Sequence, residues 1–195
     1  LMSDRIVEAA PTAAPEMPEV LSSVLLFLIN ESREMLESGE GIAPRTGLVM
    51  ADTLVEEEAD SDTVEGCYAK AAHTVRDAAG ARAYGFVYDG EIEVDTGTID
   101  AIIAEGGVPG GEAGYAVGLV YTIGEDGTFT FEDDPIYIGH APNFMANLRQ
   151  HAIETPEEAS EQGEAVDEGE ASNVIVLDES TLVETEEAAS GGDAE

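Results

Sequence analysis

The chain has 195 residues, enough for one domain that buries a sizeable core, with room for an appended tail. It carries 43 acidic residues against 7 basic ones, giving a net charge of −36 at pH 7. This charge disfavours nucleic acid and anionic membrane surfaces as partners, because both require a cationic face on the protein. The mean hydropathy of −0.09 argues against an integral membrane protein.

The first part of the chain predicts an arm, a helix, a strand and a second helix. Residues 1–17 are rich in Ala and Pro and are predicted to form a flexible arm. Apolar residues at helical spacing then predict a largely buried helix at about 19–38. One strand is expected over 46–55. A second helix, capped by Asp60 or Asp62, should run to about residue 79.

From Ala81 onward, β-branched and aromatic residues predict antiparallel strands. These are expected at 81–88, 91–94, 98–105, 114–123, 128–132 and 136–138, followed by a closing helix over 143–153. Asp89-Gly90 is predicted to form a type I′ hairpin turn. The predicted fold class is therefore α+β: an antiparallel β meander of about five to seven short strands with the two main helices packed on one face. A single globular domain is expected over 18–153.

The segment from residue 154 onward, called the acidic tail below, has a different composition. It contains 12 Glu and 3 Asp but no basic residue and no aromatic one, which predicts disorder over 154–195. One apolar tetrad interrupts it. An extended segment of this type can add to the sheet edge of a partner, or form a short strand on the chain's own sheet. The candidates for partner docking are Val174, Ile175, Val176, Leu177, Asp178 and Glu179.

Val174–Ser180 resembles a SUMO-interacting motif, in which a Val/Ile-rich core precedes acidic residues and serine. The resemblance covers seven residues. It implies a partner of the ubiquitin-like class, with the acidic side chains contacting basic residues at the rim of the partner's sheet.

The densest glycine run, 106–114, predicts a loop between two strands. Glycine loops can hold phosphate through converging N–H groups, but this run has no lysine and is flanked by Glu105 and Glu112. A loop that closes over a neutral ligand or a partner is the functional interpretation. Its candidate residues are Gly106, Gly107, Gly110, Gly111 and Tyr115. The cleft beside it would be lined by the sheet tyrosines, namely Tyr84, Tyr88, Tyr115 and Tyr121.

No residue set in the sequence predicts catalysis, a metal site or a cofactor. Cys67 and His73 share a helix but should point about 120° apart, which is unsuitable for a nucleophile and its base. His140 and His151 lack the ligand spacing of a zinc site. The acidic clusters 56–58 and 132–134 do not match a calcium loop.

We therefore expect a non-enzymatic binding, adaptor or regulatory protein whose partner is another protein, for example one with a basic surface. Two alternatives stay open. One is a small-ligand-binding protein or enzyme that uses a cleft beside the glycine run, and the other is a structural subunit of a larger assembly.

The charge and the cysteine content also bear on the environment. Carboxylates at this density repel one another, and salt screens that repulsion, so the near absence of lysine favours adaptation to high salt. The alternative is an acidic protein of an ordinary cell, kept soluble by its charge. The single cysteine excludes an internal disulfide, and no secretory leader is recognisable, so a cytoplasmic location is expected.

Overall fold

The computed structural model describes residues 2–9 and 14–148, together with the backbone of 174–176. After a short 3-10 turn at Met2–Asp4, two helices are present, α1 (Glu19–Glu37) and α2 (Val64–Asp77). The strands are β1 (Ile6–Glu8), β2 (Arg45–Met50), β3 (Thr53–Glu58), β4 (Ala81–Val94), β5 (Gly97–Gly107), β6 (Gly114–Ile123), β7 (Phe129–Phe131), β8 (Ile136–Ala141) and β9 (Val174–Val176).

The strands form one sheet in the order β7-β6-β5-β4-β2-β3-β9. β8 lies beside the first half of β6, and β1 lies beside the second half of β4 as the one parallel pair among the described strands. The predicted α+β class, with an antiparallel sheet and two main helices, is confirmed. Strands β4 to β7 follow the predicted meander. The β2–β3 hairpin departs from it, because β4 pairs with β2 and leaves β3 toward the edge.

The two helices lie on opposite faces of the sheet, so the predicted packing on one face is wrong. A Cβ added to Gly85 of β4 would lie 2.6 Å from Cδ1 of Leu28 in α1. The next residue, Phe86, instead contacts Tyr68 of α2, with ring centroids 5.3 Å apart. Successive strand residues point to opposite faces, which places α1 under one side and α2 over the other. The physical reason is that β4 is apolar at both odd and even positions.

The N-terminal residues pack on the sheet instead of forming the predicted flexible arm. Met2 is only 3% exposed, and β1 runs parallel to Glu91–Glu93 of β4. Glu91 donates its N–H to the carbonyl of Arg5 at 2.9 Å. β2 does not pair with this part of β4, and the N-terminal segment is held in place by hydrogen bonds to it. Residues 1 and 10–13 of the predicted arm lie outside the described residues.

Asp89-Gly90 is not the predicted hairpin turn, because β4 continues through it to Val94. The turn falls instead between Val94 and Gly97, which pair with each other. Gly90 is needed for close approach, since a Cβ there would lie 3.0 Å from the Arg5 carbonyl oxygen. Asp89 is part-buried and accepts a hydrogen bond from Tyr121 Oη at 2.7 Å. Tertiary contacts on both residues therefore override the local turn signal.

Three further boundaries differ from the sequence prediction. The expected single strand over 46–55 is the β2–β3 hairpin, whose turn places Ala51 at a φ of 53°. Helix α2 is capped by Thr63, whose Oγ1 accepts from Gly66 N at 3.0 Å, and not by Asp60 or Asp62. Residues 143–148 form turns where a closing helix was predicted, and 149–153 lie outside the described residues.

An ion-pair network fastens the β2–β3 hairpin to α1. Arg45 of β2 is only 8% exposed and donates to Glu31 at 2.8 Å, to Glu56 at 3.2 Å and to Ser32 at 3.1 Å. Burial, and then the neighbouring charge of Glu31, raise the pKa of Glu56. Glu56 is thus committed to the α1 side of the sheet, which leaves Glu57 to face the α2 side.

Among the described residues, no helix is long and apolar enough to cross a membrane. Of the predicted disordered acidic tail, only 174–176 belongs to the described residues, and there the backbone forms β9. The rest of that prediction lies outside them.

Candidate functional site

The outer edge of β3 carries a strand that comes from far along the sequence. β9 pairs antiparallel with it, with Val174 opposite Val55, Ile175 opposite Leu54 and Val176 opposite Thr53. The apolar segment predicted for partner docking therefore lies on the chain's own sheet, which is the second interpretation of this segment. Leu177, Asp178 and Glu179 lie outside the described residues.

The edge is longer than the strand that covers it. β3 spans six residues, whereas β9 pairs with Thr53, Leu54 and Val55 alone. Within the described residues, no strand pairs with the outer side of Glu56–Glu58. Unpaired N–H and C=O groups on an edge strand are a template for pairing with another chain. Among the residues that the structure describes, the outer side of this half of β3 therefore carries no strand.

Beside this edge, on the α2 face, lies an open cavity of about 420 Å³. It separates β3 from the flank of α2 that does not face the sheet core. Cys67, Ala71 and Val75 of α2 are buried against the sheet, so the helix residues one step around the axis border the cavity. The lining residues are Leu48, Glu57, Glu58, Lys70, His73, Thr74, Asp77 and Ala78.

The cavity is acidic. Glu57 and Glu58 are exposed, and among the described residues no ion pair or side-chain hydrogen bond engages their carboxylates. His73 Nδ1 lies 2.8 Å from Asp77 Oδ2, and both side chains are mostly exposed. Lys70 is the only lysine of the chain, and its ammonium donates to the carbonyl oxygen of Asp60. Alternation along β3 turns Glu57 to this face and Glu58 to the opposite one, so two carboxylates, those of Glu57 and Asp77, face one ammonium that already has an acceptor.

The glycine run is tied down at its base. Gly106 and Gly107 belong to β5, and the loop that follows is held by Asn143, whose Nδ2 donates to the Val108 carbonyl at 3.0 Å and the Gly111 carbonyl at 2.7 Å. Gly110 N–H donates to the Met145 carbonyl at 3.1 Å. These bonds direct loop groups toward the 143–148 turn, so the predicted closure over a ligand stays a prediction without support from this arrangement.

Replacing Asn143 with Ala should loosen this loop. The change removes both donor bonds and the bond that Asn143 Oδ1 accepts from Met145 N at 2.9 Å. Leaving part-buried carbonyls unpaired should lower the free energy of unfolding by about 2–4 kcal/mol. Urea denaturation measures the change, and Asn30→Ala on the exposed surface of α1 is the matched control. A loss no larger than that of the control would show that the Asn143 bonds do not hold the loop.

The four sheet tyrosines do not line one cleft. Tyr84 and Tyr88 lie on the α2 face, whereas Tyr115 and Tyr121 lie on the α1 face. Tyr84 Oη donates to the Pro142 carbonyl at 2.9 Å and accepts from Phe144 N at 3.1 Å. Tyr115 Oη donates to the Glu16 carbonyl at 3.5 Å. Each hydroxyl has its own protein partner, so the predicted tyrosine-lined cleft is not formed by these residues.

A buried carboxylate lies between the sheet and α2. Glu105 of β5 is 4% exposed, and its Oε1 accepts from Tyr68 Oη and from Tyr88 Oη, each at 2.5 Å. The guanidinium carbon of Arg5 lies 5.7 Å from the centre of the Tyr68 ring. Burial and then the Glu105 charge raise the pKa of both tyrosines. This Glu105 cluster joins the N-terminal segment, α2, β4 and β5.

The residues considered for nucleophilic or metal chemistry are placed apart. Cys67 is fully buried, whereas His73 is exposed and pairs with Asp77. His140 lies on β8 and His151 is outside the described residues. In the parts of the chain that the structure describes, no three His, Cys, Asp or Glu side chains are grouped to hold a metal ion.

Sequence reasoning missed two parts of this arrangement. Glu105 was noticed only as an acid flanking the glycine run, although an acidic residue after Ile102, Ile103 and Ala104 in a buried strand is a signal for a hydrogen-bonded carboxylate. The cavity was missed because it depends on how α2 sits over β3. Its acidic residues on β3 were considered only as ligands of a hard cation, not as the wall of a cavity that binds a partner.

The fold and the edge define an α+β protein whose antiparallel sheet is covered by one helix on each face and extended by a strand from its own acidic tail. Comparison with models of known protein families, with curated proteins and with solved structures found no match for the chain.

Proposed function

We propose that the protein is a non-enzymatic adaptor that binds an extended segment of another protein along the edge of β3. The observation that carries the proposal is β9, a strand supplied from the far end of the chain and paired with this edge. An edge that pairs with one strand through backbone hydrogen bonds can also pair with other strands whose side chains fit, because the backbone hydrogen bonds do not depend on the sequence.

In this proposal β9 covers the edge until a partner displaces it. A three-residue strand is short and contributes few hydrogen bonds, so its pairing is weak on its own. Its tether keeps it near the edge, at an effective concentration on the order of millimolar. A partner segment long enough to pair with all of β3 gains the bonds to Glu56–Glu58 that β9 does not make. This competition protects the edge against unspecific pairing.

Disabling β9 in the full chain tests the pairing. The double change Ile175→Pro and Val176→Pro, called the open-edge variant below, removes the N–H that faces β3, because adjacent strand residues point their N–H groups to opposite sides. Amides of Thr53–Val55 that face β9 should exchange faster by about tenfold or more. The matched control, Ala188→Pro with Ala189→Pro, places the same two prolines elsewhere in the acidic tail. Hydrogen exchange followed by NMR measures both.

A peptide copy of residues 171–180 then tests strand acceptance in trans. We expect it to bind the open-edge variant about tenfold more tightly than the wild-type chain, because the wild-type edge is covered by its tethered competitor. Fluorescence anisotropy of the labelled peptide measures this. Equal amide exchange in all three chains, together with no peptide binding, would remove the basis of the proposal.

We also infer that the protein works in a salt-rich environment. With 43 acidic and 7 basic residues, at least 36 carboxylates lack a basic side chain of their own to pair with. Arg45 alone engages two of the few ion pairs in the described residues. Screening by mobile cations is the remaining way to lower the repulsion among the others.

A further inference from the structure

We infer that the acidic cavity beside β3 selects a partner strand carrying Lys or Arg two residues before the residue that pairs with Val55. The inference rests on the proposed strand addition and adds the partner's chemistry to it. It combines the register of β9, the alternation of side chains across a strand and the charge of the cavity walls.

The register fixes which partner residue reaches the cavity. Val174 pairs with Val55 in the antiparallel direction, so a partner residue two positions earlier pairs with Glu57. Side chains of directly opposed residues lie on the same face, with Cβ atoms about 5 Å apart. Val55 packs with Leu48 and Val75 on the α2 face, and Glu57 shares that face. The partner side chain opposite Glu57 therefore enters the cavity between β3 and α2.

The cavity walls fit a cation at that position. Glu57 contributes a carboxylate that has no ion-pair or hydrogen-bond partner among the described residues, and Asp77, whose carboxylate lies beside His73, adds a second from α2. Lys70 does not offset them fully, since its ammonium is directed to the Asp60 carbonyl. A Lys or Arg stem also packs on the apolar floor at Leu48 while its charged head stays near the carboxylates. An acidic side chain at the same position would meet like charge.

The chain's own strand lacks this feature. Two positions before Val174, the sequence has Ser172, which carries no charge. The tethered strand therefore cannot supply the contact that a basic partner makes. A partner with the pattern basic–x–apolar–x–apolar binds the edge more tightly than β9 because of this one side chain, in addition to any extra backbone hydrogen bonds.

Three peptide copies of residues 171–180 test the inference on the open-edge variant. One keeps Ser172, one carries Ser172→Lys and one carries Ser172→Glu. At low ionic strength we expect the lysine copy to bind about fivefold more tightly than the serine copy and the glutamate copy to bind more weakly. Glu57→Gln in the open-edge background should remove most of the lysine preference. Glu34→Gln, an exposed change of equal charge on α1, should preserve it.

Each outcome decides between the two proposals. Equal binding of the lysine and serine copies overturns the cavity's role and leaves strand addition standing. A lysine preference that survives Glu57→Gln as well as Glu34→Gln shows general attraction to an acidic protein, which also overturns the inference. Binding of no copy overturns strand addition itself.

Discussion

Above pH 10 the protein should lose about 5–6 kcal/mol of stability per pH unit and unfold within one to two units, because four tyrosines with raised pKa values keep their protons in the folded state. These are Tyr68, Tyr84 and Tyr88 on the α2 face and Tyr121 on the α1 face. Burial raises the pKa of each, and the Glu105 charge adds to the rise for Tyr68 and Tyr88. The phenolate of either would lie against the carboxylate it now hydrogen-bonds.

The sign of the effect follows from proton linkage. In the unfolded chain each tyrosine ionises near pH 10, whereas the folded chain holds the proton to a higher pH. The folded state therefore binds more protons, and stability falls as pH rises through this window. Below pH 10 both states are protonated, so the full contribution is present. Each tyrosine contributes about 1.4 kcal/mol per pH unit within the window.

Tyr88→Phe provides the test that separates this effect from general alkaline damage. The variant loses a hydrogen bond to Glu105 and is less stable at neutral pH, but its stability should fall less steeply above pH 10, by about 1.4 kcal/mol per unit. Tyr137→Phe, at a half-buried position on β8, should change the slope less. Urea unfolding at several pH values measures the slopes. Identical slopes in wild type and Tyr88→Phe would show that Tyr88 does not retain its proton.

Much of the sheet could be predicted from local patterns, because β5 and β6 are long apolar runs between glycine-rich turns. The position of the helices could also have been predicted from β4. Its residues Ala83, Tyr84, Phe86, Val87 and Tyr88 are apolar without alternation, which indicates a strand covered on both faces. This pattern is incompatible with the predicted packing of both helices on one face.

The errors at turns have the opposite cause. Asp89-Gly90 has a strong hairpin signal, yet Tyr121 and Arg5 hold both residues inside β4. The hairpin turn of β2–β3 begins at Ala51, which has a positive φ. Alanine rarely adopts this conformation, so the local sequence did not predict a turn there. Contacts between residues far apart in sequence decide both cases.

The candidate site was predictable only in part. The apolar segment at 174–177 was recognisable because four aliphatic residues interrupt an acidic tail, and a strand was among its expected forms. The sequence did not predict the edge with which this segment pairs, because β3 was expected to be the end of a longer strand. The acidic cavity needs both that edge and the position of α2.

The melting temperature should rise by about 10–20 °C between dilute buffer and molar KCl. Residues 1–153 hold 28 of the 43 acidic residues, because the acidic tail holds 15, and they hold all 7 basic ones. Folding brings these charges close together. At about 0.1 M salt the screening length is about 10 Å, so neighbouring carboxylates still repel one another, whereas at 1 M it is about 3 Å and most of the repulsion is removed. If the repulsion costs about 5 kcal/mol in dilute buffer, its removal shifts the melting temperature by the stated amount.

A charge variant separates screening from the general stabilising effect of salt on apolar burial. Glu132→Gln, Asp133→Asn and Asp134→Asn remove three adjacent exposed charges between β7 and β8. This variant should melt higher than wild type in dilute buffer and approach it in molar KCl, because the repulsion it relieves is already screened there. Salting-out of apolar surface would raise both chains equally at every salt concentration. A wild-type melting temperature unchanged by KCl would instead favour an acidic protein of an ordinary cell, since its carboxylates would then cost the folded state no more than the unfolded one.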